Sequence, residues 1–111
     1  MGKLERYRKI ILDLITEYQV RVAGCEGLET YLAIDREGDH YQVLRDGWRN
    51  DYRFYGAVLH FDIKDDKIWI RHDGTEDAMA ERLVEQGVPR EDIVLAFHPP
   101  FVREHTAYAV G

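Results

Sequence analysis

His60 and Asp62 are the residues of this sequence best suited to acid–base or metal chemistry. They are two positions apart in an apolar segment, so on a strand the imidazole and the carboxylate point to the same face. Such a pair can act as a base and its orienting group, or as two ligands of a metal ion. The sequence has no HxxxH or HExxH motif, and nothing else in the pattern supplies a third partner. We therefore favour a hydrogen-bonded structural pair and expect neither a catalytic residue nor a metal site.

Other catalytic groups are scarce. The chain contains no serine, which excludes the serine hydrolases, and its one cysteine, Cys25, has no histidine specified beside it. A single cysteine suits a reducing compartment. The segment His72-Asp73-Gly74-Thr75 is typical of a helix N-cap, and neither the P-loop motif nor the dinucleotide motif is present. We expect no cofactor, and we interpret the chain as a protein that is not an enzyme.

Arginines and aromatic residues alternate around position 50, at Arg45, Trp48, Arg53 and Phe54. This pattern can stack on single-stranded nucleic acid, although neighbouring aspartates dilute the positive charge. Tryptophan, tyrosine and arginine also dominate protein interfaces. Packing of Trp48 at a corner of the sheet is the simplest interpretation, followed by protein contact and then nucleic-acid binding. Near the C-terminus, His98-Pro99-Pro100 forms either a rigid elbow or a docking epitope.

The elements that must position these residues begin with an amphipathic helix. Apolar residues recur every three or four positions from Leu4 to Tyr18, and the positions between them are mostly charged. This spacing predicts a helix over residues 3–22 that ends near Ala23-Gly24.

The middle of the chain changes to the alternation typical of strands. We predict strands at residues 28–35, 40–48, 52–63 and 68–70, joined by short turns, of which the first uses Gly38 for a positive φ. Four sequential strands form an antiparallel meander. Alternation along the third strand places one set of residues on a single face, namely Tyr55, Ala57, Leu59, Phe61 and Ile63.

A second helix follows, with its N-cap at Asp73-Gly74-Thr75, apolar positions from Met79 to Val84 and its end at Gly87. The sequence therefore predicts an α+β fold: a four-stranded antiparallel meander with the N-terminal helix and the C-terminal helix or helices packed on one face. The remaining segments are a helical turn, an apolar run and an ambiguous stretch, at residues 89–92, 93–97 and 101–105.

The opposite face of the sheet would be rich in apolar residues. It would carry some of Tyr31, Tyr41, Val43, Phe54, Val58 and Trp69. An exposed apolar patch of this kind marks an interaction site and predicts a homo-oligomer, whereas a C-terminal segment folded over the sheet would cover it. Both arrangements stay open. The candidate partner-binding residues are Arg45, Trp48, Arg53, Phe54, Trp69, His98 and Arg103.

Length and charge limit the functional classes. The 111 residues suffice for one domain, residues 1–111, with its own core. Neither a membrane-spanning run nor the apolar centre of a signal peptide is present, so we expect a cytoplasmic protein. The net charge is −6, and the first helix is only weakly basic. Because DNA-binding domains usually carry a basic footprint, the charge favours a protein-binding module.

Blocks along most of the chain have the order and spacing of a known family. They include Leu4-Glu5-Arg6-Tyr7, Asp39-His40-Tyr41-Gln42-Val43-Leu44-Arg45, Gly47-Trp48, His60-Phe61-Asp62-Ile63-Lys64, Asp73-Gly74-Thr75-Glu76, Gly87-Val88-Pro89 and Phe97-His98-Pro99-Pro100. On these blocks the chain resembles the XisI family, also named the fdxN-element excision controlling factor family. It departs from the pattern at residues 20–28, at the turn 50–52 and at His72.

The resemblance implies a genetic role and no assigned catalytic residues. Family members are small cyanobacterial proteins associated with programmed excision of a DNA element during heterocyst development. They act beside a site-specific recombinase and are commonly encoded next to XisH, a protein with an endonuclease-type fold. The resemblance thus implies a non-enzymatic accessory factor that contacts an XisH-like partner, with any contact to DNA indirect.

Three alternatives stay open beside this interpretation. The chain could bind DNA directly as an excision directionality factor, through its first helix and the turn from Arg45 to Arg53. It could regulate an endonuclease-like partner in a setting unrelated to excision. It could also be a metal-dependent or small-molecule enzyme centred on His60 and Asp62.

Overall fold

The computed structural model describes residues 2–111, except for the side chain of Glu26. The predicted first helix, four strands and second helix are all present. Single turns of 3-10 helix at Cys25–Gly27 and Arg90–Asp92 precede the first and the last strand. In chain order the elements are α1 (Lys3–Arg21), β1 (Leu28–Asp35), β2 (His40–Arg49), β3 (Tyr52–Lys64), β4 (Lys67–Asp73), α2 (Met79–Glu85), β5 (Ile93–Leu95) and α3 (Pro100–Arg103).

The sheet has five strands, so the prediction of four was wrong. Strands β1 to β4 form the predicted antiparallel meander, and β5 pairs with β4 in the parallel direction at the edge. Three residues are too few for alternation to be recognised, and the partner strand lies beyond α2 in sequence. Ile93 pairs with Ile68, and both side chains are fully buried. Burial of this apolar segment explains why it joins the sheet.

The first hairpin turn joins β1 to β2 and leads directly into His40. The residue with positive φ is Asp39, at 58°, and not Gly38 as the sequence analysis expected. Aspartate tolerates this left-handed conformation better than most residues. A Cβ at Gly38 would lie 2.6 Å from the Asp35 carboxylate and 2.9 Å from the His40 ring, so a larger residue there would displace these two side chains. After this turn, His40 pairs directly with Asp62 across β2 and β3.

An extra residue in β3 changes which side chains point to which face. Val43 pairs with Leu59, but the next residue of β2 pairs with Ala57, so Val58 is the inserted residue of a β-bulge. Beyond the bulge, Tyr55 and Ala57 point away from the face that carries Leu59. The prediction that these three residues share a face was therefore wrong, because strict alternation assumes that no residue is inserted.

The core lies between one face of the sheet and the helices α1 and α2. Tyr41 and Val43, which the sequence analysis left for the opposite face, are both buried in it. The helices α1 and α2 contribute to this same core, as predicted, whereas α3 contributes no buried residue. Among the described helices, none combines the length and the apolarity needed to cross a membrane. The helical contribution to the core consists of Tyr7, Ile10, Ile11, Leu14, Ile15, Tyr18, Met79 and Leu83.

Candidate functional site

The sheet face that α1 and α2 leave uncovered is partly covered by the C-terminal segment. Ala109 donates its backbone N–H to the carbonyl of Ile93 in β5. Arg103 donates to the Val110 carbonyl and places its guanidinium over the Trp69 ring. Lys64 and Arg71 also lie against the Trp69 ring, which is only 8% exposed. The sequence left open both a C-terminal cover and an exposed surface, which do not exclude each other, and both are present at different places on this face.

The exposed part of this face carries an aromatic patch, which we define as Tyr31, Trp48, Arg53 and Tyr55. Trp48 is 61% exposed and Tyr55 is 64% exposed. The pairing of Trp48 with Arg53, and of Asp46 with Tyr55, places these side chains on one face of the β2–β3 hairpin. Tyr31 joins them from β1, and partial desolvation and the neighbouring Tyr55 raise its pKa. The Tyr31 hydroxyl is therefore a neutral hydrogen-bond donor at physiological pH.

Arg53 is held in position at the centre of the patch. Its guanidinium lies 5.6 Å from the centre of the Trp48 ring and 5.7 Å from that of the Tyr55 ring, in cation–π geometry. It also pairs with Asp46 and donates to the Gly47 carbonyl at 3.1 Å. These contacts fix the orientation of the arginine between two exposed rings and balance its charge locally.

A second group of side chains lies on the same face, where β2, β3 and β4 run side by side. Nδ1 of His40 and Nε2 of His60 both lie 2.8 Å from Oδ1 of Asp62. The other carboxylate oxygen, Oδ2, accepts a 2.8 Å hydrogen bond from Nε of Arg71. We call His40, His60, Asp62 and Arg71 the histidine–aspartate cluster. The sequence-predicted pair, His60 and Asp62, is thus brought together and joined by two further side chains.

The register of the sheet explains the two residues that sequence reasoning missed. His40 lies opposite Asp62 because the Asn50-Asp51 turn pairs Arg49 with Tyr52, and the extra residue of the β3 bulge then shifts the pairing by one position. Arg71 is the inserted residue of a second bulge, since His60 pairs with His72 while Phe61 pairs with Ile70. The sequence carries no signal for either bulge.

Electrostatics in the cluster favour the ionised carboxylate. Burial raises the pKa of Asp62, but hydrogen bonds from His40, Arg71 and His60 outweigh burial and leave the pKa below its ordinary value. The same carboxylate raises the pKa of His40 through its hydrogen bond. The cluster therefore holds a buried anion beside two imidazoles, of which His40 is the more exposed.

Comparisons with known proteins agree with this architecture. A family model described as XisI protein matches residues 1–110. The chain belongs to the XisI family. The resemblance inferred from the sequence blocks is therefore confirmed.

Two solved structures are similar to this XisI-family chain over nearly its whole length. A XisI-like protein from Anabaena variabilis shares 40% identity at a TM-score of 0.90, covering 99% of this chain and 100% of that chain. The fdxN element excision controlling factor XisI from the same species shares 32% identity at a TM-score of 0.85, with the same coverage. No curated protein sequence matches this chain.

The structure of this XisI-family protein separates the candidate partner-binding residues of the first hairpins. Trp48 and Arg53 lie in the aromatic patch. Phe54 is half-buried. It pairs with Gly47, which lies on the same face of β2 as the buried Arg45, so Phe54 points to the helix face. Arg45 is buried, and its guanidinium donates to Oγ1 of Thr30 at 3.1 Å and to the carbonyl of Cys25 at 3.0 Å. Arg45 thus satisfies polar groups inside the fold.

The three candidates from the later part of the chain lie together at the covered edge. Arg103 donates to the His98 carbonyl at 2.7 Å, and its guanidinium lies 5.6 Å from the centre of the Trp69 ring. His98 packs against Phe97, with ring centres 4.6 Å apart. The bond from Arg103 to the His98 carbonyl closes the turn at His98-Pro99-Pro100 and holds the C-terminal segment over Trp69. This geometry is consistent with the predicted rigid elbow.

Proposed function

We propose that this chain is a non-enzymatic accessory factor that controls excision of a DNA element by binding a protein partner through the aromatic patch. Membership of the XisI family supports the role, together with the similar structure described as an fdxN element excision controlling factor. The single observation that carries the mode of action is the pair of rings, Trp48 and Tyr55, exposed on either side of a fixed arginine.

The patch has the composition and the rigidity of a protein-binding surface. Tryptophan, tyrosine and arginine are the residues that most often supply the energetic centre of an interface. Strands β2 and β3 hold them on a paired hairpin, so little conformational entropy is lost when a partner covers the rings. Because Asp46 neutralises Arg53, the patch offers apolar area and hydrogen-bond donors in place of strong net charge.

The charges of α1 support protein contact over the alternative of direct DNA binding. Four basic side chains of this helix already pair with carboxylates of the chain: Lys3 with Asp92, Arg8 with Asp39, Lys9 with Asp13 and Arg21 with Asp77. Contact with phosphates would have to replace these pairs, in a protein whose net charge is −6. We therefore propose that any contact with DNA is made through the partner.

The proposed partner is an XisH-like protein of endonuclease-type fold, within a complex that includes the recombinase. We propose that this complex acts in the cytoplasm. A patch of this kind also suits a second copy of the chain, so we retain the homo-oligomer that the sequence analysis expected. Light scattering on the purified chain and on its patch variants measures the oligomer directly.

Co-purification with the XisH-like partner tests the proposal. Tyr55→Ala and Trp48→Ala should each weaken the complex at least about tenfold, as expected for residues at an interface centre. Tyr52→Ala is the matched control, because Tyr52 lies on the same strand, is 68% exposed and points to the other face. An unchanged affinity in both patch variants, or an equal loss with Tyr52→Ala, would refute the assignment of the patch.

A DNA-binding assay separates the two modes of action. The chain alone should show no duplex binding at low salt, and the complex should show binding that the partner supplies. Duplex binding by the chain alone, weakening steeply as salt rises, would favour the directionality-factor alternative.

A further inference from the structure

We propose that His40, His60 and Asp62 form a binding site for a divalent transition-metal ion, with Zn²⁺ the best-suited ion. The site is separate from the aromatic patch and goes beyond the proposed accessory role. The three residues come from two strands, and the register of the β2–β3 hairpin places them together.

The geometry supplies three convergent ligand atoms. One nitrogen of each imidazole and one carboxylate oxygen all lie within 4.8 Å of one another. A tetrahedral zinc ion holds its ligands about 2.0–2.2 Å away, which sets neighbouring ligands roughly 3.4 Å apart. The two 2.8 Å contacts of Asp62 Oδ1 therefore have to open to about 3.4 Å, and the two imidazole nitrogens, which lie within 4.8 Å of each other, have to take the same spacing.

Supporting groups hold the ligands from behind. Arg71 binds Oδ2 of Asp62 at 2.8 Å, which leaves Oδ1 to face the imidazoles as a single carboxylate ligand. The Gln42 amide lies 3.5 Å from Nδ1 of His60, on the side of the ring away from Asp62. Rotation of that amide would present its oxygen to an Nδ1–H and so leave Nε2 free to bind metal. Hydrogen-bonded outer groups of this kind orient ligands in known metal sites.

Access and ligand chemistry point to the class of ion. Asp62 is buried, His60 is partly buried and His40 is more than half exposed, so an ion can enter from the His40 side. The exposed side leaves coordination positions for water or for a group from a partner. Two imidazoles and one carboxylate suit zinc and neighbouring transition metals, whereas calcium and magnesium prefer oxygen ligands alone.

The competing explanation is a hydrogen-bonded cluster that never binds metal. In that case each imidazole keeps a proton on the nitrogen that faces Oδ1. Metal binding requires lone pairs on the same two nitrogens, so one experiment can distinguish the two explanations.

Metal titration of the purified full chain tests the site. We expect one Zn²⁺ per chain in equilibrium dialysis, and Co²⁺ should produce visible ligand-field absorption that Zn²⁺ abolishes. His40→Ala and His60→Ala should each weaken binding at least about tenfold. His105→Ala is the control, because His105 is an exposed histidine outside the cluster. Circular dichroism on each variant establishes that it is folded, and the exposed position of His40 makes His40→Ala the safer variant.

Two results would overturn the proposal. One is the absence of any binding by the wild-type chain tighter than roughly 100 μM, which would leave a hydrogen-bonded cluster. The other is equal binding by wild type, His40→Ala and His60→Ala, which would place the ion elsewhere. Neither result bears on the aromatic patch, so failure of the metal site is distinguishable from failure of the proposed function.

Discussion

Gly47 and Trp48 are adjacent in sequence, yet the structure gives them separable roles, which substitution can test. Gly47 pairs with Leu28 at the edge of the sheet, next to the 3-10 turn. A Cβ at Gly47 would lie 2.8 Å from a Leu28 methyl carbon, 3.0 Å from the Gly27 carbonyl oxygen and 3.2 Å from the Leu28 Cα. The last two are backbone atoms, which cannot rotate away. Gly47→Ala should therefore destabilise the fold itself.

Gly56 is the matched control for this substitution. It lies on β3 opposite Arg45, and a Cβ added there would meet nothing within 4 Å. Replacing a strand glycine by alanine otherwise stabilises by about 0.5–1 kcal/mol, because the unfolded chain loses conformational freedom. Overpacking costs about 1–3 kcal/mol. Gly47→Ala should lower the free energy of unfolding by about 1–2 kcal/mol, whereas Gly56→Ala should leave it unchanged or raise it slightly.

Urea unfolding followed by circular dichroism measures both free energies. A loss of about 1–2 kcal/mol corresponds to a fall in Tm of about 4–8 °C for a chain of this size. Trp48→Ala should change stability by less than about 0.5 kcal/mol, because the ring is exposed, while it weakens partner binding. Equal unfolding midpoints for Gly47→Ala and Gly56→Ala would show that the close approach to Leu28 is not limiting and that the reasoning is wrong.

Three further predictions concern an ion pair of the first hairpin turn, the hydrophobic core and the C-terminal cover of Trp69. Hydrogen bonds from Arg8 and other groups lower the pKa of Asp39 in the folded state. The ionised carboxylate therefore stabilises the fold above about pH 4, the pKa of the unfolded chain. This stabilisation is lost as the pH falls through the lower pKa of the folded chain. Asp39→Asn should thus destabilise the chain at pH 7, and acid titration of stability should show the difference shrinking as pH falls through the lowered folded-state pKa; a constant difference would contradict this. Leu83→Ala, at a fully buried position, should cost about 2–5 kcal/mol in urea unfolding, and a loss below about 1 kcal/mol would argue against its place in the core. Arg103→Ala should uncover Trp69 and shift tryptophan emission to longer wavelength, whereas an unchanged spectrum would mean that other groups cover the ring.

Local patterns predicted those elements whose partners are close in sequence. The stripe from Leu4 to Tyr18 gave α1 with its end one residue from the observed one. The hairpins followed from short turns between alternating segments. By contrast, β5 owes its strand conformation to Ile68, about 25 residues earlier, and no local signal reports such pairing. The bulge in β3 could not be predicted either, because its inserted residue, Val58, is itself apolar and leaves the hydrophobic pattern of the strand uninterrupted.

The sequence predicted only the part of the candidate site whose residues lie close together on one strand. His60 and Asp62 were expected to lie together because a strand repeats every two residues. Arg45 and Trp48 are three positions apart on β2, so alternation places them on opposite faces, but it does not predict that the arginine is the buried one. The burial of Arg45 depends on acceptors for its guanidinium, which are the Thr30 hydroxyl and the Cys25 carbonyl. A long-range hydrogen bond of this kind leaves no periodic signal.

The bulge at Val58 is the feature that gives this face two separate sites. Tyr55 and His60 are five positions apart, so in a regular strand they would point to opposite faces. The inserted residue reverses the parity, and both side chains emerge on the face that α1 and α2 leave uncovered. One hairpin can therefore present an aromatic patch at one end and a histidine–aspartate cluster at the other, while Leu59 and Phe61 between them stay fully buried. A strand with Val58 removed would have to bury either Tyr55 or His60. The bulge is therefore needed for both side chains to lie on the same exposed face.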